Sequence, residues 1–260
     1  MIPETIQRMI AGKEYSTDAI GLSDAQVTVF DDCVLKIAPY RKKNDETVAV
    51  MRWLADKLPV PAVLCYERDE THQYLLMSRA PGRMACDACY MERPAELTAR
   101  LAEAIRMLWS VDVSDCPRSM DPDAALREAR YRVENGMVDT DLVDPATFGP
   151  GGFRDPAHLL DWLERNRPSY EPVLSHGDLC LPNIFIDKGK ISGLIDLGDT
   201  GIGDRWRDIA LCFRSLKRNA EGAFGGKVYP DARAEMLFDA LGVKPDAEKL
   251  RYYLLLDELF

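Results

Sequence analysis

Apolar residues over the first eighty positions come in short runs broken by turn formers. Residues 15–20 and 26–30 flank Gly21-Leu22-Ser23-Asp24, and Asp31-Asp32 separates the second run from Cys33-Val34-Leu35-Lys36-Ile37. This pattern predicts a small antiparallel meander. Over 44–58 the period changes: Val48, Met51, Leu54, Ala55 and Leu58 fall at helical spacing, and Pro59-Val60-Pro61 stops the segment. Two more strands, 62–66 and 73–78, precede a turn at Pro81-Gly82. After that turn the pattern becomes helical. Leu97, Leu101, Ile105 and Leu108 share one face of 94–111, and 122–135 ends at a stop glycine, Gly136. Further helices are expected over 156–166, 204–217, 231–241 and 245–258. The expected class is therefore α+β. An N-terminal lobe, residues 1–80, holds a five-stranded antiparallel sheet with one helix, and residues 81–260 form a larger, mainly helical lobe.

Composition narrows the function classes. At 260 residues and 47% hydrophobic the chain builds a core without cross-links, which excludes wholesale disorder. Forty-three acidic against 33 basic residues give a net charge of -10, which argues against a nucleic-acid partner and favours cationic ligands. The start of the chain lacks a basic segment followed by a long apolar run, and no uncharged stretch reaches the about 18 residues of a membrane span. A soluble cytoplasmic protein without a membrane partner is expected. Seven irregularly spaced cysteines read as reduced thiols, and Cys86-x-x-Cys89 has no second pair to complete a metal site. Residues 139–156 form an acidic, Pro/Gly-rich loop long enough to suggest a functional or mobile element.

The chemistry concentrates in 174–196, where polar residues interrupt strongly apolar runs. Residues 184–187 and 191–195 read as strands joined by the two-residue turn Lys188-Gly189. Counting outward from the turn brings Asn183 and Asp196 to the same open end of the hairpin. An amide oxygen and a carboxylate with no soft ligand nearby suit a hard cation such as Mg²⁺. Asp178, on the preceding loop, lies within reach as a carboxylate able to orient a hydroxyl and take its proton.

The spacing His176-Gly177-Asp178-x-x-x-x-Asn183 followed by Ile195-Asp196-x-Gly198 resembles the catalytic loop of the aminoglycoside phosphotransferases, small-molecule kinases with a protein-kinase-like fold. The turn at Gly21-Leu22-Ser23, Lys36 on a strand, Trp53-Leu54, Leu58-Pro59-Val60-Pro61, Leu75-Leu76-Met77-Ser78 and the ending Tyr252-Tyr253-Leu254-Leu255-Leu256-Asp257-Glu258-Leu259-Phe260 look like the 3'-phosphotransferase branch. The resemblance implies a two-lobed fold that binds ATP, with GTP as an alternative donor, and Mg²⁺. Asp178 would be the catalytic carboxylate, Asn183 and Asp196 would hold the metal, and Lys36 would grip the α- and β-phosphates. Ser23 would contact phosphate from its turn. Glu46 would pair with Lys36, although it falls one residue from the family's spacing, with Asp45 as the alternative. Main-chain groups of 77–80, with Met77, Ser78 and Ala80 as the contacts, would read the adenine edge, and Phe185 and Ile195 would pack on the base.

The acceptor implied by the resemblance is a cationic aminoglycoside, met by carboxylates. Asp141 and Asp144 of the acidic loop, Asp257, Glu258 and the Phe260 carboxylate would supply them. Two positions depart from the family. Asp199 stands where relatives usually carry Arg, and Arg218 stands near where they carry a substrate-binding Glu. The expected activity is phosphorylation of an aminoglycoside, at the 3'-hydroxyl, by a monomer or weak dimer. The alternatives are a kinase of a macrolide, a peptide antibiotic or a metabolite, and a catalytically inactive protein that binds nucleotide or drug. A protein kinase fits poorly, because a G-x-G-x-x-G loop and an activation segment are missing.

Overall fold

The computed structural model describes residues 1–18, 25–141 and 143–260. The first helix, α1 (Glu4–Ile10), precedes strands β1 (Tyr15–Asp18), β2 (Gln26–Phe30) and β3 (Cys33–Pro39). Then come α2 (Lys42–Leu54), β4 (Val63–Arg68) and β5 (His72–Ser78). The strands form one five-stranded sheet in the order β1-β2-β3-β5-β4, antiparallel throughout. Alternation along β3 decides which side chains face where. Cys33 and Leu35 are buried on the α1 side with Ile6, Phe30, Tyr74 and Leu76. Lys36, one residue out of phase, points to the opposite face beside its cross-strand partner Leu75, which belongs to the main core.

Beyond residue 80 the chain becomes mainly helical, around α4 (Pro94–Trp109), whose Leu97, Leu101, Ile105 and Leu108 are fully buried. Two short elements precede it, β6 (Arg83–Met84) and α3 (Ala88–Met91). Cys86 and Cys89, both free thiols, straddle Asp87, the N-cap of α3. The helices α5 (Pro122–Glu134) and α6 (Pro156–Arg165) each start on Pro at N1 behind an aspartate cap, Asp121 or Asp155. Such caps contribute about 1 kcal/mol each. They are followed by β7 (Pro172–Ser175), the hairpin β8 (Ile184–Asp187) and β9 (Lys190–Leu194), and β10 (Gly201–Asp204). The chain closes with α7 (Arg205–Ala220), α8 (Met236–Leu241) and α9 (Ala247–Asp257). The expected helix 231–241 is shorter: 231–235 are turn and irregular chain, and helix begins only at Met236.

The hairpin turns as the sequence indicates. Lys188 and Gly189 both take positive φ, 48° and 73°, the conformation of a tight two-residue loop. β6 adds a third strand to this hairpin, so the segment after the Pro81-Gly82 turn is stitched onto β8. Among the described residues, no helix is long and apolar enough to cross a membrane.

Candidate active site

A cleft of about 560 Å³ opens between the cleft face of the five-stranded sheet and residues 196–198. Lys36, Ala38, Val48, Met51, Leu75 and Met77 form its upper wall, and Asp196 lies at its floor. Across it the Lys36 ammonium stands 3.5 Å from Asp196 Oδ1.

The loop before the hairpin is fixed from below by one buried carboxylate. Asp208, on the first turn of α7 and 0% exposed, accepts hydrogen bonds from His176 N–H (2.9 Å), Gly177 N–H (3.0 Å) and Ser175 Oγ (3.1 Å). Burial pushes the Asp208 carboxyl above the ordinary carboxylate range, and these donors pull the other way. His176 is also fully buried. Its Nε2 meets Ile195 O at 2.9 Å, and its carbonyl accepts from Thr200 Oγ1 at 2.9 Å. The imidazole therefore ties the loop that carries Asp178 to the strand end before Asp196. Gly177 is required here: at φ 85° a Cβ would sit 2.3 Å from Asp199 O.

Asp178 emerges from this frame with both carboxylate oxygens engaged. Asn183 Nδ2 donates to Oδ2 at 3.0 Å and to the Asp178 carbonyl at 2.9 Å. Cys180 Sγ–H donates to Oδ1 at 3.0 Å. Burial first, and the adjacent carboxylate second, push the Cys180 thiol upward, which keeps it a protonated donor. Asn183 is brought to Asp196 by the main chain, Ile195 N–H donating to Asn183 O at 2.9 Å. Asp196 itself adopts the left-handed region (φ 59°, ψ 62°), uncommon for a non-glycine residue and a form of strain that concentrates at functional sites. Its carboxylate is half-exposed to the cleft.

Among the described residues no cluster of three or more His, Cys, Asp or Glu side chains gathers to hold a metal. One carboxylate, Asp196, and one amide oxygen, on an Asn183 whose Nδ2 is committed to Asp178, make a sparse all-oxygen set. That fits Mg²⁺, which keeps several waters and takes its remaining ligands from phosphates.

At the nucleotide end, Ser78 N–H donates to Ala62 O and Arg79 N–H to Asp32 O, both main-chain bonds. The Ala80 N–H makes no main-chain hydrogen bond among the described residues. Gly193 lets this connector lie against the hairpin: a Cβ there would sit 2.6 Å from Ala80 Cβ and 3.3 Å from Phe185 Cβ. Phe185 and Ile195 are half-buried on that hairpin.

One expectation is corrected. Glu46 is exposed and makes no ion pair with Lys36, which faces Asp196 instead. The cause is helical phase: α2 turns Asn44, Thr47, Val48 and Met51 toward the cleft, and residue 46 lies one position, about 100°, away from Thr47. Asp45, the alternative, accepts from Tyr40 and Tyr66 and pairs with Arg68. Ser23 lies outside the described residues.

The acceptor-side residues fall into two groups. Asp257 is paired with Arg214, and Glu258 lies 3.4 Å from the same guanidinium. Burial raises both carboxyls above their ordinary range, with Arg214 opposing it. Glu258 also accepts from Asp144 N–H at 2.8 Å, which fastens the acidic loop to the end of α9. Phe260 is half-buried, and its carbonyl oxygen accepts from Arg132 Nη2 at 3.0 Å. Asp141 and the Asp144 side chain are exposed. Sequence reasoning missed Arg214 and Asp208. Asp208 carries a usable signal, an acid flanked by the apolar Ile209-Ala210-Leu211 on a helix whose neighbours are buried.

A two-lobed frame of this kind, with a hairpin carrying Asn183 and Asp196 behind Asp178, is the kinase-like architecture of small-molecule phosphotransferases. The model of the phosphotransferase enzyme family matches residues 15–253, and the chain belongs to that family. An aminoglycoside 3'-phosphotransferase of Enterococcus faecalis is 38% identical over 100% of this chain and 98% of its own length. One from Staphylococcus aureus is 37% identical over the same shares. The crystal structure of an aminoglycoside-3'-phosphotransferase of type VIII superposes with a TM-score of 0.84 at 29% identity, covering 98% of this chain and 97% of that one.

Proposed function

We propose that the protein transfers the γ-phosphoryl group of ATP to the 3'-hydroxyl of an aminoglycoside, inactivating the drug by adding negative charge to a polycation. The observation that carries the reading is that Lys36 faces Asp196 across a cleft large enough for a nucleotide, while Asn183, bonded to Asp178, is joined to the residue before Asp196 by the main chain. Full-length similarity to relatives named for this reaction supports the acceptor.

In this reading residues 1–80 supply the nucleotide wall and 81–260 the catalytic loop and acceptor site. Ser78 O and Ala80 N–H meet the adenine edge, with Met77, Phe185 and Ile195 around the base. Lys36 places its positive charge against the phosphates. Asp196 and Asn183 Oδ1 would hold Mg²⁺, which supplies compensation for the charge of the triphosphate. Asp178 aligns the acceptor hydroxyl and takes its proton as the new O–P bond forms and the bond from the γ-phosphorus to the β–γ bridging oxygen breaks, releasing ADP. Asp141, Asp144, Asp257, Glu258 and Phe260 receive ammonium groups of the acceptor. A cationic ligand must share Asp257 and Glu258 with Arg214, so each incoming ammonium replaces part of an existing ion pair.

The test is Mg²⁺-dependent ATP consumption with product mass, comparing kanamycin with tobramycin, which lacks the 3'-hydroxyl. A phosphate-sized gain on kanamycin and none on tobramycin is expected. Equal modification of both would refute the position, and modification of neither would refute the acceptor class.

A further inference from the structure

The loop that carries Asp196 continues as a short turn, 197–199, and the carbonyls of Leu197, Gly198 and Thr200 all meet one buried side chain. Arg118 is only 7% exposed. Its Nε donates to Thr200 O at 2.6 Å, Nη2 to Leu197 O at 2.8 Å and Nη1 to Gly198 O at 3.1 Å. Nη1 also reaches Thr47 Oγ1, at 3.3 Å, on the cleft face of α2. The main chain around Arg118 is itself zipped to the strand after this turn. Ile202 N–H donates to Arg118 O at 2.9 Å and Met120 N–H to Ile202 O at 2.7 Å. Gly201 makes that approach possible, since a Cβ there would lie 2.8 Å from Arg118 O.

The guanidinium has no direct carboxylate partner. Its counter-charges are Asp199 and, from α2, Glu46 nearby, and Asp199 binds Lys43 of α2 at 2.7 Å. Burial works against ionisation of Asp199, but Lys43, Arg207 and Arg118 outweigh it and hold the carboxyl below its ordinary range. Two ties, Arg118 to Thr47 and Asp199 to Lys43, thus join the metal loop to the one helix of the sheet lobe that lines the cleft. Lys36 has no acidic partner on that helix, so these ties set how α2 sits over Asp196.

We propose that Arg118 is a positioning residue for the metal site: it holds the 197–200 turn, and through it the strained Asp196, in register with α2. The cation usual for the family at position 199 is then supplied from 118, and position 199 carries the counter-charge. A planar fork suits this task because three carbonyls and a hydroxyl must be met at once, which an ammonium cannot do. The inference rests on the proposed phosphotransferase reading, and its test reads the loop independently of turnover.

Arg118→Met, Arg118→Lys and Thr47→Val would be compared by amide hydrogen exchange of the ligand-free protein and by titration of Mg²⁺ at fixed nucleotide, scored by nucleotide binding as well as rate. Groups behind metal ligands typically change metal affinity by about 10- to 100-fold. Arg118→Met is expected to raise half-saturating Mg²⁺ about tenfold or more, leave metal-free nucleotide affinity within about twofold, and speed exchange selectively over 196–202. Arg118→Lys should recover only part of this, and Thr47→Val, which leaves the three carbonyl bonds in place, should keep the loop protected. Wild-type Mg²⁺ dependence and loop exchange in Arg118→Met would overturn the proposal. So would exchange that quickens equally in β5, which marks a general loss of stability. Should Arg118→Met fail to fold, Arg118→Lys decides: behaviour identical to wild type refutes the fork. A protein that turns over no aminoglycoside yet shows these loop and Mg²⁺ effects would refute the acceptor and leave Arg118 in its role.

Discussion

Replacing Asp208 by Asn tests whether a single buried carboxylate holds the catalytic loop. Asp208 accepts from two main-chain N–H groups and a hydroxyl, all buried, and two of those bonds share Oδ1. An asparagine of the same shape keeps one acceptor oxygen and turns an NH₂ group toward a buried donor. If the oxygen keeps Ser175 and Gly177, His176 N–H is left without a partner. Losing charge assistance on the surviving bonds and stranding one buried N–H together cost roughly 3–4 kcal/mol. For a chain of this size each kcal/mol moves Tm by roughly 2–4 °C, so a fall of about 6–15 °C is expected in a thermal melt. Asp178 follows Gly177 directly, and a displacement of about 1 Å at a reacting group costs about 100-fold in rate. Asp208→Asn, assayed well below its Tm, should therefore lose about two orders of magnitude in kcat. A variant melting within about 2 °C of the parent with kcat within twofold would refute the assignment of Asp208 as the loop's anchor.

Asp178→Ala is expected to bind ATP within a few-fold of the parent while turnover falls by about 10²- to 10⁴-fold; isothermal titration and initial rates separate the two, and substantial turnover would remove Asp178 from the mechanism. Arg214→Met strands the largely buried Asp257 and Glu258, costing roughly 2–4 kcal/mol, somewhat below a fully buried pair. Adding Asp257→Asn should restore much of that loss in denaturant melts, and a double variant no more stable than the single would show that the pair is not coupled. Asp69 is held below the ordinary carboxylate range by hydrogen bonds from the Thr71 hydroxyl and the Thr71 and His72 main-chain N–H groups. A depressed folded value means its stabilisation is complete above the unfolded value of about 4 and disappears as pH falls through the folded one. The Tm gap between the parent and Asp69→Asn should be full near pH 6 and narrow on acidification; a gap that widens at low pH has the wrong sign.

Much of this molecule was legible because period and turn chemistry agree. Alternation in β3 puts Lys36 on the face opposite Leu35, and Lys188-Gly189 closes the hairpin as expected, although a bulge at Phe185/Ile186 shifts the pairing by one residue and sets Ile184 opposite Leu194. The failure at Glu46 has the opposite origin. α2 opens on Arg41-Lys42-Lys43, with Asn44 closing the cap, and no apolar residue in its first turn reveals the phase that turns Thr47 to the cleft. β10, Gly201–Asp204, was invisible because a Gly-Ile-Gly-Asp strand carries no alternation and forms by main-chain pairing with β7. Arg118 left no trace for a related reason. Its partners are mostly carbonyl oxygens, which every residue has, so neither end of the interaction marks the sequence.

In sequence, the departure at 199 reverses the sign of an expected cation and the one at 218 puts a cation where a carboxylate would meet a cationic acceptor, and their surroundings change both readings. Asp199 is held by Lys43 from α2, and the neighbouring Arg118 guanidinium closes the cluster behind the metal loop. Its sign reversal is matched by cations that arrive from three other segments, Lys43, Arg118 and Arg207, so the local balance is kept while the residues supplying it are exchanged. Arg218 is exposed and lies over the Phe224 ring at 5.4 Å, on the surface turn that follows α7. The guanidinium that does meet Asp257 and Glu258, the carboxylates proposed for the acceptor, is Arg214, one helical turn earlier. On the proposed reading, acceptor choice would then depend on how an incoming ammonium competes with Arg214. On the same reading the phosphoryl machinery would depend instead on the buried ties through Asp208, His176 and Arg118, so substitutions in the two sets should separate acceptor KM from metal dependence.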